Sequence, residues 1–158
     1  GRLDNGGIES SILSKDTFTC EDLDENQITI TLEDASGNVT TATTLVTVTD
    51  PAAPVAHLQE LTLSLNDLGT VTISSEDIDD GSTDNCGIES SILSKDTFTC
   101  EDLGENEITV TLEDASGNVT TATTLVTVTD PAAPVAHLRA STFTTSDAAD
   151  SPTPTMTV

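Results

Sequence analysis

The densest chemistry in the chain lies in residues 75–87, where Glu76, Asp77, Asp79, Asp80 and Asp84 stand with Asn85 inside ten positions and no Lys or Arg among them. Carboxylates this close repel one another unless a cation neutralises them, and oxygen-only donors select a hard ion that accepts many ligands in flexible geometry. Asp77, Asp79, Asp80, Asp84 and Asn85 are therefore the candidate metal ligands, with calcium as the cofactor and magnesium a poorer fit. The spacing is not that of an EF-hand: with Gly81 as the invariant glycine, the first ligand position falls on Glu76 and the third on Ile78. The alternative reading is a solvated acidic loop. Asp114, Asn118, Asp50 and Asp130 could join a site near a domain junction, although Asp in a turn or before Pro is also ordinary turn chemistry.

Three cysteines carry the second chemistry. Cys86 and Cys100, 14 positions apart on what read as neighbouring strands, are the expected disulfide pair. Closing a loop of about 15 residues stabilises by roughly 3 kcal/mol in the chain-entropy account. Two buried free thiols are the alternative. Cys20 stands alone and is expected to be a free thiol, or failing that an intermolecular link. If the pairing holds, the compartment is oxidising, extracellular or periplasmic.

Catalysis finds no foothold. His57 and His137 each follow a Pro-Val-Ala run, with no Ser or Cys nucleophile at motif spacing. Lys15 and Lys95 each sit in Leu-Ser-Lys-Asp, where flanking polar residues give no apolar pocket to lower a lysine pKa for isopeptide chemistry. The chain is expected not to be an enzyme.

Alternating apolar and polar residues must position these groups. Leu61, Leu63 and Leu65, then Val71 and Ile73 across Asn66-Asp67-Leu68-Gly69, read as a hairpin. Further strands are expected at Ile88 to Leu93, Thr97 to Cys100, around Ile108, Val110 and Leu112, and from Val119 to Thr129, after the turn residues Asp114-Ala115-Ser116-Gly117-Asn118. About seven strands in 80 residues, with abundant Thr and Val, is the pattern of an all-β immunoglobulin-like β-sandwich.

The pattern occurs more than once. Residues 7–58 and 87–138 align at an offset of 80 and differ only at Asp24/Gly104, Gln27/Glu107 and Ile30/Val110. Cys20 matches Cys100, whereas Gly6 stands at the position of Cys86. Phased on Asp50-Pro51-Ala52-Ala53-Pro54, residues 1–49 are the C-terminal part of one repeat, 50–129 a complete repeat, and 130–158 the start of a third or a divergent tail. The chain therefore reads as a stretch of a longer array, with any export signal or anchor outside it. A second arrangement has residues 130–158 of one chain completing the open sheet edge of residues 1–49 in another.

With 28 acidic against 4 basic residues, the net charge of -24 repels nucleic acid and anionic membrane surfaces and leaves cations as partners. No apolar run approaches the roughly 18–20 residues of a membrane span.

Asp-Pro-x-x-Pro-Val, then Asp-Ile-Asp-Asp-Gly-Ser-Thr-Asp-Asn-Cys-Gly-Ile, Phe-Thr-Cys, Asp-Ala-Ser-Gly-Asn and Val-Thr-Val-Thr-Asp follow one another in this order. Over residues 1–138 this resembles the hyalin-repeat-like immunoglobulin modules of secreted flavobacterial proteins. The resemblance implies export to the cell surface and tandem arrays in large adhesins, including gliding adhesins, or spacers in secreted enzymes. Gly6 and the residues after Leu138 depart from that pattern. The expected function is a structural extracellular repeat in an adhesin stalk or filament, stiffened by calcium, with neighbouring repeats of the same chain as partners. The rivals are a carbohydrate- or protein-binding module, disfavoured by the lack of Trp and Tyr for a sugar platform, and a spacer in a secreted enzyme.

Overall fold

The computed structural model describes residues 5–144, and the remainder of the expected tail, 145–158, lies outside them. The fold is all-β, with one short helical turn and two 3-10 turns. The strands are β1 (Ile8–Leu13), β2 (Asp24–Asp34), β3 (Val39–Val48), β4 (Leu61–Ser64), β5 (Thr70–Thr72), β6 (Ile88–Leu93), β7 (Thr97–Thr99), β8 (Gly104–Asp114) and β9 (Val119–Thr129). They form a three-stranded sheet β1-β2-β3, a four-stranded sheet β4-β9-β8-β6 and a two-stranded sheet β5-β7.

The sequence repeat is a register repeat. Ile8 pairs with Asp34 as Ile88 pairs with Asp114, and Asp24 pairs with Val48 as Gly104 pairs with Val128. Both copies carry the same irregularity, between Ile8 and Ser10 and between Ile88 and Ser90. The substitution Asp24/Gly104 falls where both copies enter their long strand with positive φ, +78° and +94°. That conformation costs a side chain roughly 1–2 kcal/mol, least for Asp or Asn, which explains why Asp is the tolerated alternative.

The expected hairpin of Leu61–Leu65 with Val71–Ile73 is not formed. β4 runs parallel to β9 and β5 pairs with β7, so the turn at Asn66–Gly69 carries the chain from one sheet to the other. Alternation fixes which face of a strand is buried but not its partner, and either pairing buries the same leucines. Between residues 50 and 129 there are six strands rather than about seven, supplemented by isolated bridges Val55↔Thr83 and Leu58↔Asp79.

Both sheets of the second copy contribute to one core. Ile108, Val110 and Leu112 of β8 and Val126 and Val128 of β9 are buried with Leu65, Ile73, Phe98 of β7, and Ile78. Ile78 is delivered by a helical turn, Ser75–Ile78, whose first turn is fixed by the Ser74 N–H donating to Asp77 Oδ2 at 2.8 Å. Phe98 is 0% exposed, the largest fully buried side chain. In the first copy the matching Phe18, Ile30, Leu32, Val46 and Val48 are only half-buried, because among the described residues no counterpart of β4 or β5 covers that sheet. Phe98→Ala should accordingly lower the unfolding free energy by about 3–5 kcal/mol in urea denaturation, whereas Phe18→Ala should cost well under half as much. Equal losses would show that the two sheets are covered alike.

Candidate functional site

The site is the junction of the two copies, and it is built by the direction of the strands. In each copy β3 or β9 leaves the sheet at the end where the 3-10 turn Cys20–Asp22 or Cys100–Asp102 lies, since Asp24 faces Val48 and Gly104 faces Val128. Cys86 lies at the other end, two residues before Ile88, which faces Asp114. β8 has 11 residues, so the two ends are roughly 30 Å apart. Cys86 therefore cannot reach Cys100, and the expected Cys86–Cys100 bond is corrected: Cys86 is bonded to Cys20, 66 residues away, from the end of the preceding copy. Cys20, expected free, is the bridged cysteine. Cys100 is free and exposed, with its Sγ 4.0 Å from the carbonyl oxygen of Gly69.

The turns holding Cys20 and Cys100 are alike. In each a Thr (Thr19, Thr99) caps the turn and the third residue (Asp22, Asp102) accepts the Thr N–H at 2.8 Å. Lys15 pairs with Asp22 at 2.6 Å and Lys95 with Asp102 at 2.9 Å. The Lys15 ammonium and then the Thr19 N–H hold Asp22 below the usual carboxylate range, while for Asp102 the Thr99 N–H leads and Lys95 follows. The lysines thus brace the turns that present the bridged Cys20 and the free Cys100.

The linker is fastened to the second copy along its length. Asp50, 7% exposed, accepts the Ala52 N–H at 3.0 Å and the Asn85 side-chain amide at 2.9 Å on Oδ1, and its backbone carbonyl accepts the Asn118 side-chain amide at 2.7 Å. Pro54 is buried and its carbonyl accepts the Thr120 hydroxyl at 2.6 Å. Val55 and Thr83 exchange both backbone hydrogen bonds, and the His57 N–H and carbonyl bond Ser82 and the Asp80 N–H. His57 is exposed, and its backbone is what the junction uses. Leu23, Asp24, Val48 and Thr49 of the first copy line a crevice with Ala115 and Ser116 of the second.

Of the five expected ligands, the fold brings only Asp84 and Asn85 to this junction. Asp77 caps the helical turn, and Asp79 accepts N–H groups of Gly81 and Ser82, with Ser82 chiefly holding its carboxyl below the usual range. Asp80 contributes its backbone N–H to His57. Asp84 instead lies within 4.8 Å of Asp50 and Asp114, counted between one carboxylate oxygen of each. Asp114, 1% exposed, accepts the Ser116 and Asn118 N–H groups at 2.9 Å each on Oδ1 and the Asn118 side-chain amide at 2.8 Å on Oδ2; that amide chiefly holds its carboxyl below the usual range. Asp50 and Asp114 carried a turn signal in the sequence, and only the fold joins them to Asp84.

A disulfide persists in oxidising compartments and not in the ordinary cytosol. No described helix is long and apolar enough to cross a membrane. No protein-family model and no curated protein matches the chain. Peptide mapping of the unreduced protein should recover a Cys20–Cys86 cross-link and an alkylatable Cys100. Recovery of a Cys86–Cys100 cross-link would contradict the strand register, because it would need both cysteines at one end of β8.

Proposed function

We propose that the chain is a stretch of an extracellular stalk or filament of a large surface adhesin, made of tandem immunoglobulin-like sandwiches joined end to end. The observation that carries the reading is the Cys20–Cys86 bond, which links one copy to the next rather than stapling either copy internally. A sandwich that needs strength for itself places its disulfide across its own sheets. A bond at the seam serves the array. Cys100 occupies the repeat position of Cys20 in an equivalent turn, so the same link is available to a following copy.

The consequence is mechanical. Tension entering before Cys20 crosses directly to Cys86, and residues 21–85, including β2, β3, β4 and β5, leave the load path. Length, a fastened linker and a bypassed peptide segment are what a stalk requires, and none of them supplies a substrate pocket. The strongly acidic surface keeps neighbouring filaments apart by charge repulsion.

Pulling the oxidised chain from its two ends should give a full extension shorter by about 230 Å than after reduction, from 66 residues at about 3.5 Å each. Residues 21–49, with β2 and β3, should come under load and peel away only once the bond is reduced, whereas β1, which precedes Cys20, is loaded in both states. Identical traces before and after reduction would show that the bond bears no load and would remove the reading.

A further inference from the structure

The junction contains two oxygen atoms that the fold buries and leaves without partners. Asp50 Oδ2 and Asp84 Oδ1 accept no hydrogen bond, although Asp50 is 93% buried, from its 7% exposure. Burying an unpartnered carboxylate oxygen is costly, and here two of them share a site with a third, fully buried carboxylate, Asp114. The described lysines do not relieve the charge, being paired to Asp22 and Asp102. His57 and His137 are exposed on the linker and beyond β9. Three negative charges within 4.8 Å therefore stand with no described cation beside them.

We propose that Asp50, Asp84 and Asp114 bind one divalent cation, calcium by the chemistry of the donors, at the root of the linker. Calcium takes oxygen ligands at about 2.3–2.6 Å, so atoms on one coordination sphere lie up to about 5 Å apart, and the three carboxylates fall inside that span as they stand. Asp50 and Asp84 hold their other oxygen in hydrogen bonds, Asp50 Oδ1 accepting from Ala52 and Asn85 and Asp84 Oδ2 from the Cys86 N–H at 2.9 Å, while both Asp114 oxygens accept, Oδ1 from the Ser116 and Asn118 N–H groups and Oδ2 from the Asn118 side-chain amide, each carboxylate oxygen keeping a further lone pair. These contacts orient each carboxylate without consuming the two free atoms, as the supporting contacts of a metal ligand do. The site lacks sulfur and imidazole, which excludes the softer metals by ligand preference.

Donors of the same kind recur in part on either side: Asp4, Asn5, Asp34 and Asn38 match Asp84, Asn85, Asp114 and Asn118 one repeat earlier, and Asp130 matches Asp50 one repeat later. The recurrence includes the copy in which Gly6 replaces the cysteine. The cation joins Asp50 of the linker to the loop whose next residue but one is the bridged Cys86, so ion and disulfide secure the same seam from two sides. This consequence rests on the stalk reading, but the site itself does not.

Titrating the calcium-stripped 158-residue protein with calcium chloride in a calorimeter should give one site per chain and a raised melting temperature, with magnesium chloride binding at least tenfold more weakly. Asp84→Asn, at a half-buried position that still offers Cys86 an acceptor, should weaken calcium at least tenfold. Asp77→Asn and Asp79→Asn should leave it within twofold. No binding heat and no thermal shift up to about 10 mM of either ion, roughly tenfold above the weakest extracellular module sites, or loss of binding in Asp79→Asn but not Asp84→Asn, would overturn the proposal. The force measurement above is made without reference to calcium, so a failed cation site and a failed stalk reading are distinguishable.

Discussion

The covalent bond between Cys20 and Cys86 is the constraint on which the arrangement depends. A single peptide link at Thr49–Asp50 would leave two small β units free to swing. The bond adds a second attachment at the same seam, closing a ring of 66 residues, which in the chain-entropy account removes about 4 kcal/mol of freedom from the separated state. Around it the polar contacts of Asp50, Pro54 and Val55 to Asn85, Asn118, Thr120 and Thr83 fix the linker to one surface of the following copy. Pro51 and Pro54 restrict φ within this stretch, so little entropy is left to lose when those contacts form.

Within the second copy the energetic centre is different. Phe98 and Ile78 close the space between the β5-β7 layer and the four-stranded sheet, and Ile108, Val110 and Leu112 of β8, Val126 and Val128 of β9, and Leu65 and Ile73 supply the rest. The aromatic content is small, so the core is made largely of branched aliphatic chains standing on two long adjacent strands. Those strands also set the distance between the two ends of a copy. Core and junction are thus linked: the length of β8 decides which cysteine meets which.

Much of this was legible in the residues. Strict alternation through Ile108, Val110 and Leu112 and through Val126 and Val128 located the buried faces, and the turn Asp114 to Asn118 marked the hairpin between the two long strands. The offset of 80 foretold the identical register of β1-β2-β3 and β6-β8-β9. Two things were hidden. Local alternation does not name a strand's partner, so β4 and β5 read as a hairpin when they belong to different sheets. Separation along the chain also misled for the cysteines, because 14 residues containing a sheet-to-sheet crossing place Cys86 and Cys100 at opposite ends of an 11-residue strand. The length of β8 was concealed, since none of its first four residues, Gly104, Glu105, Asn106 and Glu107, carries an apolar side chain. The acidic cluster was legible as a density of charge, but Asp84 was separable from Asp77, Asp79 and Asp80 only once the fold brought Asp50 and Asp114 to it.

The central claim is that the seam holds the two copies in one orientation. Distance distributions between non-cysteine spin labels at Thr43 and Thr123, exposed equivalents on β3 and β9, test it most directly. The oxidised protein should give one narrow distance that broadens on reduction of Cys20–Cys86. A broad distribution in the oxidised protein would contradict the account.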